Sequence, residues 1–131
     1  MPICYCGFNI NWQPEVIIMK FFPLEKYNAS LVIFPTEMMM ANTPTHRAAL
    51  LRHMEQNTNR LIINLEQVKC IDSSGLSVLI SALKRAQQHD GEILLLSPSA
   101  HVRALIELTR LHQIFSIYEN QDAAIAHFSC H

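Results

Sequence analysis

The stretch CIDSSGL, residues 70–76, decides how the rest of the chain is read. Packing alone does not require Asp-Ser-Ser-Gly between a buried-looking approach and an amphipathic helix. Upstream, LIINL (61–65) is apolar nearly throughout, and so is EILLLS (92–97) downstream. Strands covered on both faces read this way, so the two are expected to lie centrally and parallel. Between them, Leu76, Leu79, Ile80 and Leu83 recur at i, i+3, i+4 and i+7, the core-facing stripe of a helix that starts in the quoted motif. Ser77, Ser81, Lys84 and Arg85 point elsewhere, and Gly91, after His89-Asp90, is the expected C-terminal stop.

Working outward, EVIIMKFF and SLVIF read as short strands rich in β-branched and aromatic residues, pairing antiparallel across a segment with Pro23 and Asn28. Thr43-Pro44 places a capping hydroxyl before a proline at a helix start, with Ala48, Leu51 and Met54 as its apolar stripe. Ser97-Pro98 repeats the device ahead of Val102, Leu105, Ile106 and Thr109. A short helix from about Gln121 to Phe128 closes the domain. Strand and helix alternate with crossover connections, which is an α/β pattern opened by an antiparallel hairpin.

The chain has 131 residues, one domain by length. Its 10 Lys plus Arg against 11 Asp plus Glu leave a net charge of -1, with none of the basic excess that nucleic-acid binding needs. Lys20, Pro23, Glu25 and Lys26 interrupt the apolar N-terminal part, so no run spans a bilayer and no membrane partner is expected. The opening MPICYCGFNINW lacks a basic n-region and a sustained apolar h-region, which points to the cytoplasm. Cys4 and Cys6 form a C-x-C, while Cys70 and Cys130 stand alone; that spacing suits neither a zinc site nor a disulfide scaffold, and free thiols are expected. Residues 1–18 fit the compact pattern poorly and read as an arm or an over-extended start, with the domain proper over 19–131.

Asp72, Ser73 and Ser74 fall on the rim where strand C-termini and helix N-termini meet, the usual functional edge of α/β sheets. Asp and Ser are also the commonest N-cap residues, and capping alone accounts for one of them. A serine nucleophile calls for G-x-S-x-G or S-x-x-K with an activating base, and neither occurs. A phosphate-binding loop calls for more glycine and a lysine, and Asp72 would repel the ligand. An exposed hydroxyl that accepts a phosphoryl group from a partner needs only what the motif offers.

The run NLEQVKCIDSSGLSVLISALKRAQQHDGEILLLSPS, followed by LIELTRLHQIFSIYENQDAAI, resembles the anti-sigma factor antagonist family, the bacterial domains also called STAS. The similarity covers roughly residues 20 to 128. It implies a single STAS-type domain, a mixed four- to five-stranded sheet packed against about four helices, with no enzymatic activity and no cofactor. It also implies partner switching: the unphosphorylated protein binds an anti-sigma factor that is itself a serine kinase, and frees a sigma factor. Phosphorylation on Ser73 releases it, and a metal-dependent serine phosphatase restores it. On the same resemblance Asp72 shapes the acceptor site, Gly75 admits a partner backbone, and Ser74 and Val78, with Ala82, offer a docking edge, with ordinary packing against the neighbouring helix as the alternative for Val78.

The family's glycine, glutamate and aspartate after its second strand correspond here to FPTEMMMANTPTH, where only Glu37 matches as a partner contact; Thr36 and Met39 depart from the pattern. Met38, Met39 and Met40 read as irregular core filling or an adaptable partner surface. The histidines at 46, 53, 89, 101 and 112 lack ligand spacing, so no metal is expected and surface or capping roles are assigned. The tail HFSCH reads as a frayed terminus. A STAS scaffold held in a transporter or signalling complex, without a phosphate cycle, stays open as an alternative, as does, more distantly, a serine hydrolase.

Overall fold

The computed structural model describes residues 19–129, so the expected arm over 1–18 lies outside them, as do Cys130 and His131. Strands β1 (Lys20–Leu24) and β2 (Ala29–Ile33) form the antiparallel hairpin, Lys20 facing Ile33 and Leu24 facing Ala29. There follow β3 (Glu37–Met38), α1 (Thr43–Gln56), β4 (Arg60–Asn64), β5 (Cys70–Ile71) and α2 (Ser73–Gln88). The chain continues through β6 (Glu92–Leu96), α3 (Ala100–Leu108), β7 (Ser116–Tyr118) and α4 (Gln121–Ser129). The main sheet has the order β1-β2-β4-β6-β7, and every pairing after the hairpin is parallel. β4 and β6 are central, as their unbroken apolar runs predict.

Alternation along each strand divides the core in two. Leu61, Ile63, Ile93 and Leu95 point to one face, where α1, α2 and α3 cover them with Leu50, Met54, Leu79, Val102 and Ile106. Ile62, Leu94 and Leu96 point to the other, where Ala124 and Phe128 of α4 lie. Because both faces are covered, no period-2 polarity survives in the sequence of β4. The outer strands are modest: β1 carries Pro23, which has no N–H to offer, and β7 has three residues.

Several expectations need correcting. Thr43 does not cap α1; Asn42 holds the N-cap position, while the Thr43 hydroxyl donates to the Met39 carbonyl at 2.7 Å. The buried face of α1 is Thr43, His46, Leu50 and Met54, and Ala48 is exposed. Two polar residues occupy core positions there, which hides the stripe from a hydrophobicity count. His46 is thus buried rather than on the surface, and burial pushes its imidazole pKa down. His53 is half-buried, its Nε2 3.0 Å from the Ser30 hydroxyl and its ring stacked 4.3 Å from that of Phe21. Ser97 takes φ 50° and donates to the Glu119 carbonyl; Ser99 stands at the N-cap of α3.

The tail is not frayed through residue 129. His127 meets Glu92 at 2.7 Å and the Tyr118 hydroxyl at 2.9 Å, which docks α4 on β6 and β7. Phe128 is buried beneath the Arg60 guanidinium, 4.6 Å from its ring centre. Cys70 is disulfide-bonded, against the expectation of free thiols.

Phe128 is 2% exposed and anchors α4 on the second face of the sheet, whereas Leu108 is 79% exposed. Urea denaturation should show Phe128→Ala losing about 3–5 kcal/mol. Leu108→Ala should stay within about 0.5 kcal/mol of the parent.

Candidate functional site

Beyond the C-terminal ends of β2 and β4, the chain builds a second, two-stranded parallel sheet, Glu37 beside Cys70 and Met38 beside Ile71. The Thr36 carbonyl receives the N–H groups of Lys69 (2.8 Å) and Cys70 (3.2 Å), and the Met38 carbonyl receives that of Asp72 (3.3 Å). The start of α2 is therefore hung from β3. Strands of two residues have no readable period, and this element has no signature in the sequence.

Asp72 adopts extended backbone and caps α2. Its Oδ1 accepts from Ser74 N (3.0 Å), Gly75 N (3.1 Å) and the Ser74 hydroxyl (2.5 Å), and its Oδ2 accepts from Met40 N at 3.0 Å. One carboxylate thus takes four donors from two segments. The loop it grips is braced by Asn42, which accepts from Met39 N and donates to the Glu37 carbonyl, each at 2.9 Å. Burial opposes charge on Asp72, but the bonds from the Ser74 side chain and from the Gly75, Met40 and Ser74 backbones outweigh it and hold its carboxyl below the ordinary value.

The two serines differ. Ser74 is half-buried; its hydroxyl donates to Asp72 and lies 3.1 Å from the Thr43 hydroxyl, whose own proton goes to Met39. Ser73 is exposed and makes no side-chain hydrogen bond among the described residues. Glu37 sits half-buried on the same rim, and Met40 is 73% exposed beside it, while Met38 is fully buried. The methionine run is thus core filling at one end and open surface at the other.

Two expected contacts do not face outward. Gly75 is buried, and a Cβ there would lie 2.4 Å from the Met38 carbonyl oxygen, so the close approach it permits is to the chain's own β3. Val78 is 1% exposed and Ala82 0%, both inside the core, because α2 packs against the sheet and α1 at once and its buried face is wider than the leucine stripe. The surface therefore consists of Ser73, the outer edges of Asp72 and Ser74, Glu37 and Met40. Sequence reasoning missed Asn42, which braces the loop that Asp72 grips, and the contacts that Thr43 and Arg47 make with Ser74 and Ser77 across 31 and 30 positions. An asparagine ahead of Thr-Pro was a capping signal that pointed to the first of these.

Among the described residues no group of three or more His, Cys, Asp or Glu side chains is placed to hold a metal ion. No helix among them is long and apolar enough to cross a membrane.

The family model described as STAS domain matches residues 24–124. BtrV of Bordetella bronchiseptica, assigned as an anti-sigma factor antagonist, is 30% identical over 88 residues, which is 67% of this chain and 76% of that protein. The structure of an anti-sigma factor antagonist from Mycobacterium paratuberculosis has a TM-score of 0.77 at 22% identity, covering 89% of this chain and 97% of its own. A sulfate transporter family protein from Wolinella succinogenes has a TM-score of 0.68 at 15% identity, over 85% and 90%. At such identities the two structural likenesses show the fold alone.

Because the folded state lowers the carboxyl pKa of Asp72, its contribution to stability is complete above the ordinary value of 3.8 and drains away as pH falls through the folded value. The stability difference between the parent and Asp72→Asn, from chemical denaturation, should therefore shrink on acidification. Gly75→Ala should cost about 1–3 kcal/mol in the same assay, since backbone of β3 must give way.

Proposed function

This chain belongs to the STAS domain family, with the anti-sigma factor antagonists, and on that premise we propose that it works by partner switching with Ser73 as the phosphoryl acceptor. The observation that carries the reading is the division of labour between adjacent hydroxyls: Ser74 is spent on the cap, and Ser73 is exposed and unengaged. The partner is an anti-sigma factor with serine kinase activity. It supplies ATP and the catalytic base; the Ser73 oxygen attacks the γ-phosphorus, ADP departs, and the hydroxyl proton passes to the kinase. This domain contributes the acceptor and no catalytic group. A serine phosphatase hydrolyses the ester and resets the cycle.

The chemistry of the helix start explains the asymmetry of the outcome. Phosphorylation adds about -1.5 to -2 charges, and the positive dipole end of α2 favours an anion there. The modified domain keeps its fold. A partner seated on Ser73, Met40 and Glu37 has instead to desolvate the phosphate or face it with like charge. A net penalty of about 3 kcal/mol lowers affinity on the order of a hundredfold. Neither step needs the sheet to move, and the cycle belongs to the cytoplasm, where ATP is available.

The scaffold reading keeps the fold without the phosphate, and for it Ser73 is dispensable. Incubation with the cognate kinase and ATP, read by intact-mass spectrometry, should add one phosphate to the parent and none to Ser73→Ala. Calorimetry should then show the phosphorylated form binding the kinase at least tenfold more weakly. An unmodified parent, or equal affinity of both forms, would sink the partner-switching account.

A further inference from the structure

Helix α1 lies alongside α2 at the motif. Thr43 meets Ser74, and one turn further along Arg47 Nη2 donates to the Ser77 hydroxyl at 2.5 Å. Ser77 spends its own proton on the Ser74 carbonyl at 2.6 Å, so toward Arg47 it is purely an acceptor. Ser77 also stands four residues after Ser73, on the same face of α2, with about 6 Å between Cβ positions at that spacing. The guanidinium is therefore held against the neighbour of the exposed serine.

Its partner there is a poor one. A guanidinium has five N–H donors in a planar fork suited to two oxygens of one anion, and a neutral hydroxyl uses one. Arg47 is half-buried, and its Nε is shielded from solvent without a hydrogen-bond partner among the described residues. Asp72, the N-cap acid of α2, already accepts from four donors. No salt bridge involves Arg47 among the described residues. Charge-assisted bonds to phosphate are about twice as strong as neutral ones, so a phosphoryl group within reach outcompetes Ser77.

We propose that Arg47 is the built-in counter-ion of a phosphoryl group on Ser73, swinging from the Ser77 hydroxyl to the phosphate oxygens and holding them on the domain's own helix. This rests on Ser73 as the acceptor and adds a second element to the switch. The phosphate becomes part of an intramolecular ion pair that a returning partner must break, beyond desolvating a free anion. Arg47 is a positioning residue in this role and takes no part in the transfer.

The test uses the full chain with phosphoserine incorporated at position 73 during translation, which makes it independent of any kinase. The charged or titratable groups on the elements meeting here are Glu37 on β3, Lys69 before β5, Asp72 at the α2 cap, Lys84 and Arg85 on α2, and His46, Arg47, Arg52, His53 and Glu55 on α1. All but Arg47 stay constant. In a phosphorus NMR titration, Arg47→Met should raise the second phosphate pKa by about half a unit to one unit, an opposite charge having been removed. Arg47→Lys should retain most of the parental value, and Ser77→Ala all of it, because the tie to Ser77 is given up in the phosphorylated form. In the unsubstituted chain, the Arg47 Nε–H resonance should shift between the serine and phosphoserine forms. Superimposable titrations of parent and Arg47→Met, or an unmoved Nε–H resonance, would overturn the counter-ion assignment. Either result would leave Ser73 as acceptor untouched, since that reading falls only if the kinase leaves Ser73 unmodified.

Discussion

The carboxylate of Asp72 is the constraint on which the functional rim depends. It terminates the free N–H groups of α2 and, through its second oxygen, holds Met40 and with it the loop that leads into α1. Both helices that flank the motif are thereby set relative to one point. The arrangement is possible only because β3 reaches the same place, and it reaches it only because residue 75 has no side chain. Cap, loop and strand form one unit, and the exposed hydroxyl of Ser73 is what that unit displays.

This explains how a small domain can carry a regulatory charge without being remodelled by it. The groups that define the helix start are already satisfied before any modification, so a phosphate is added to a finished structure. Its oxygens meet helix dipole and, on the proposal above, a guanidinium, both of which favour the anion. The cost falls on the approaching protein. A switch of this kind changes the surface and leaves the core alone, which suits a sheet whose central strands are packed tightly on both faces.

How much of this was legible in the sequence depends on the range of the interaction. β4 and β6 were readable because burial on both sides leaves an unbroken apolar run, and α2 because Leu76, Leu79 and Leu83 keep helical spacing. The hairpin was readable in part, from SLVIF and the aromatic pair Phe21-Phe22, although Pro23, read as part of the connection, lies inside β1; α4 was readable from the last apolar cluster. β3 and β5 were not, since two residues show no period, and β7 is hardly longer. α1 was misread because His46 and Thr43 occupy core positions that a hydrophobic count passes over. Within the site, Asp72 and Ser73 announced themselves through local capping chemistry. Gly75 was noticed but its neighbour was taken to be foreign, because nothing local says that Met38 arrives from 37 positions earlier. Thr43 and Arg47 touch Ser74 and Ser77 across 31 and 30 positions, and no pattern in a single chain encodes such a meeting.

The margins of the main sheet bear on how another protein can approach. β1 presents Pro23 in its outer row, and β7 offers three residues, too few for a stable ladder. Recruitment of a foreign strand by backbone pairing is therefore disfavoured at both borders. Recognition is left to side chains at the helix tips, where single substitutions can retune the choice of partner while the hydrogen-bonded framework is inherited intact.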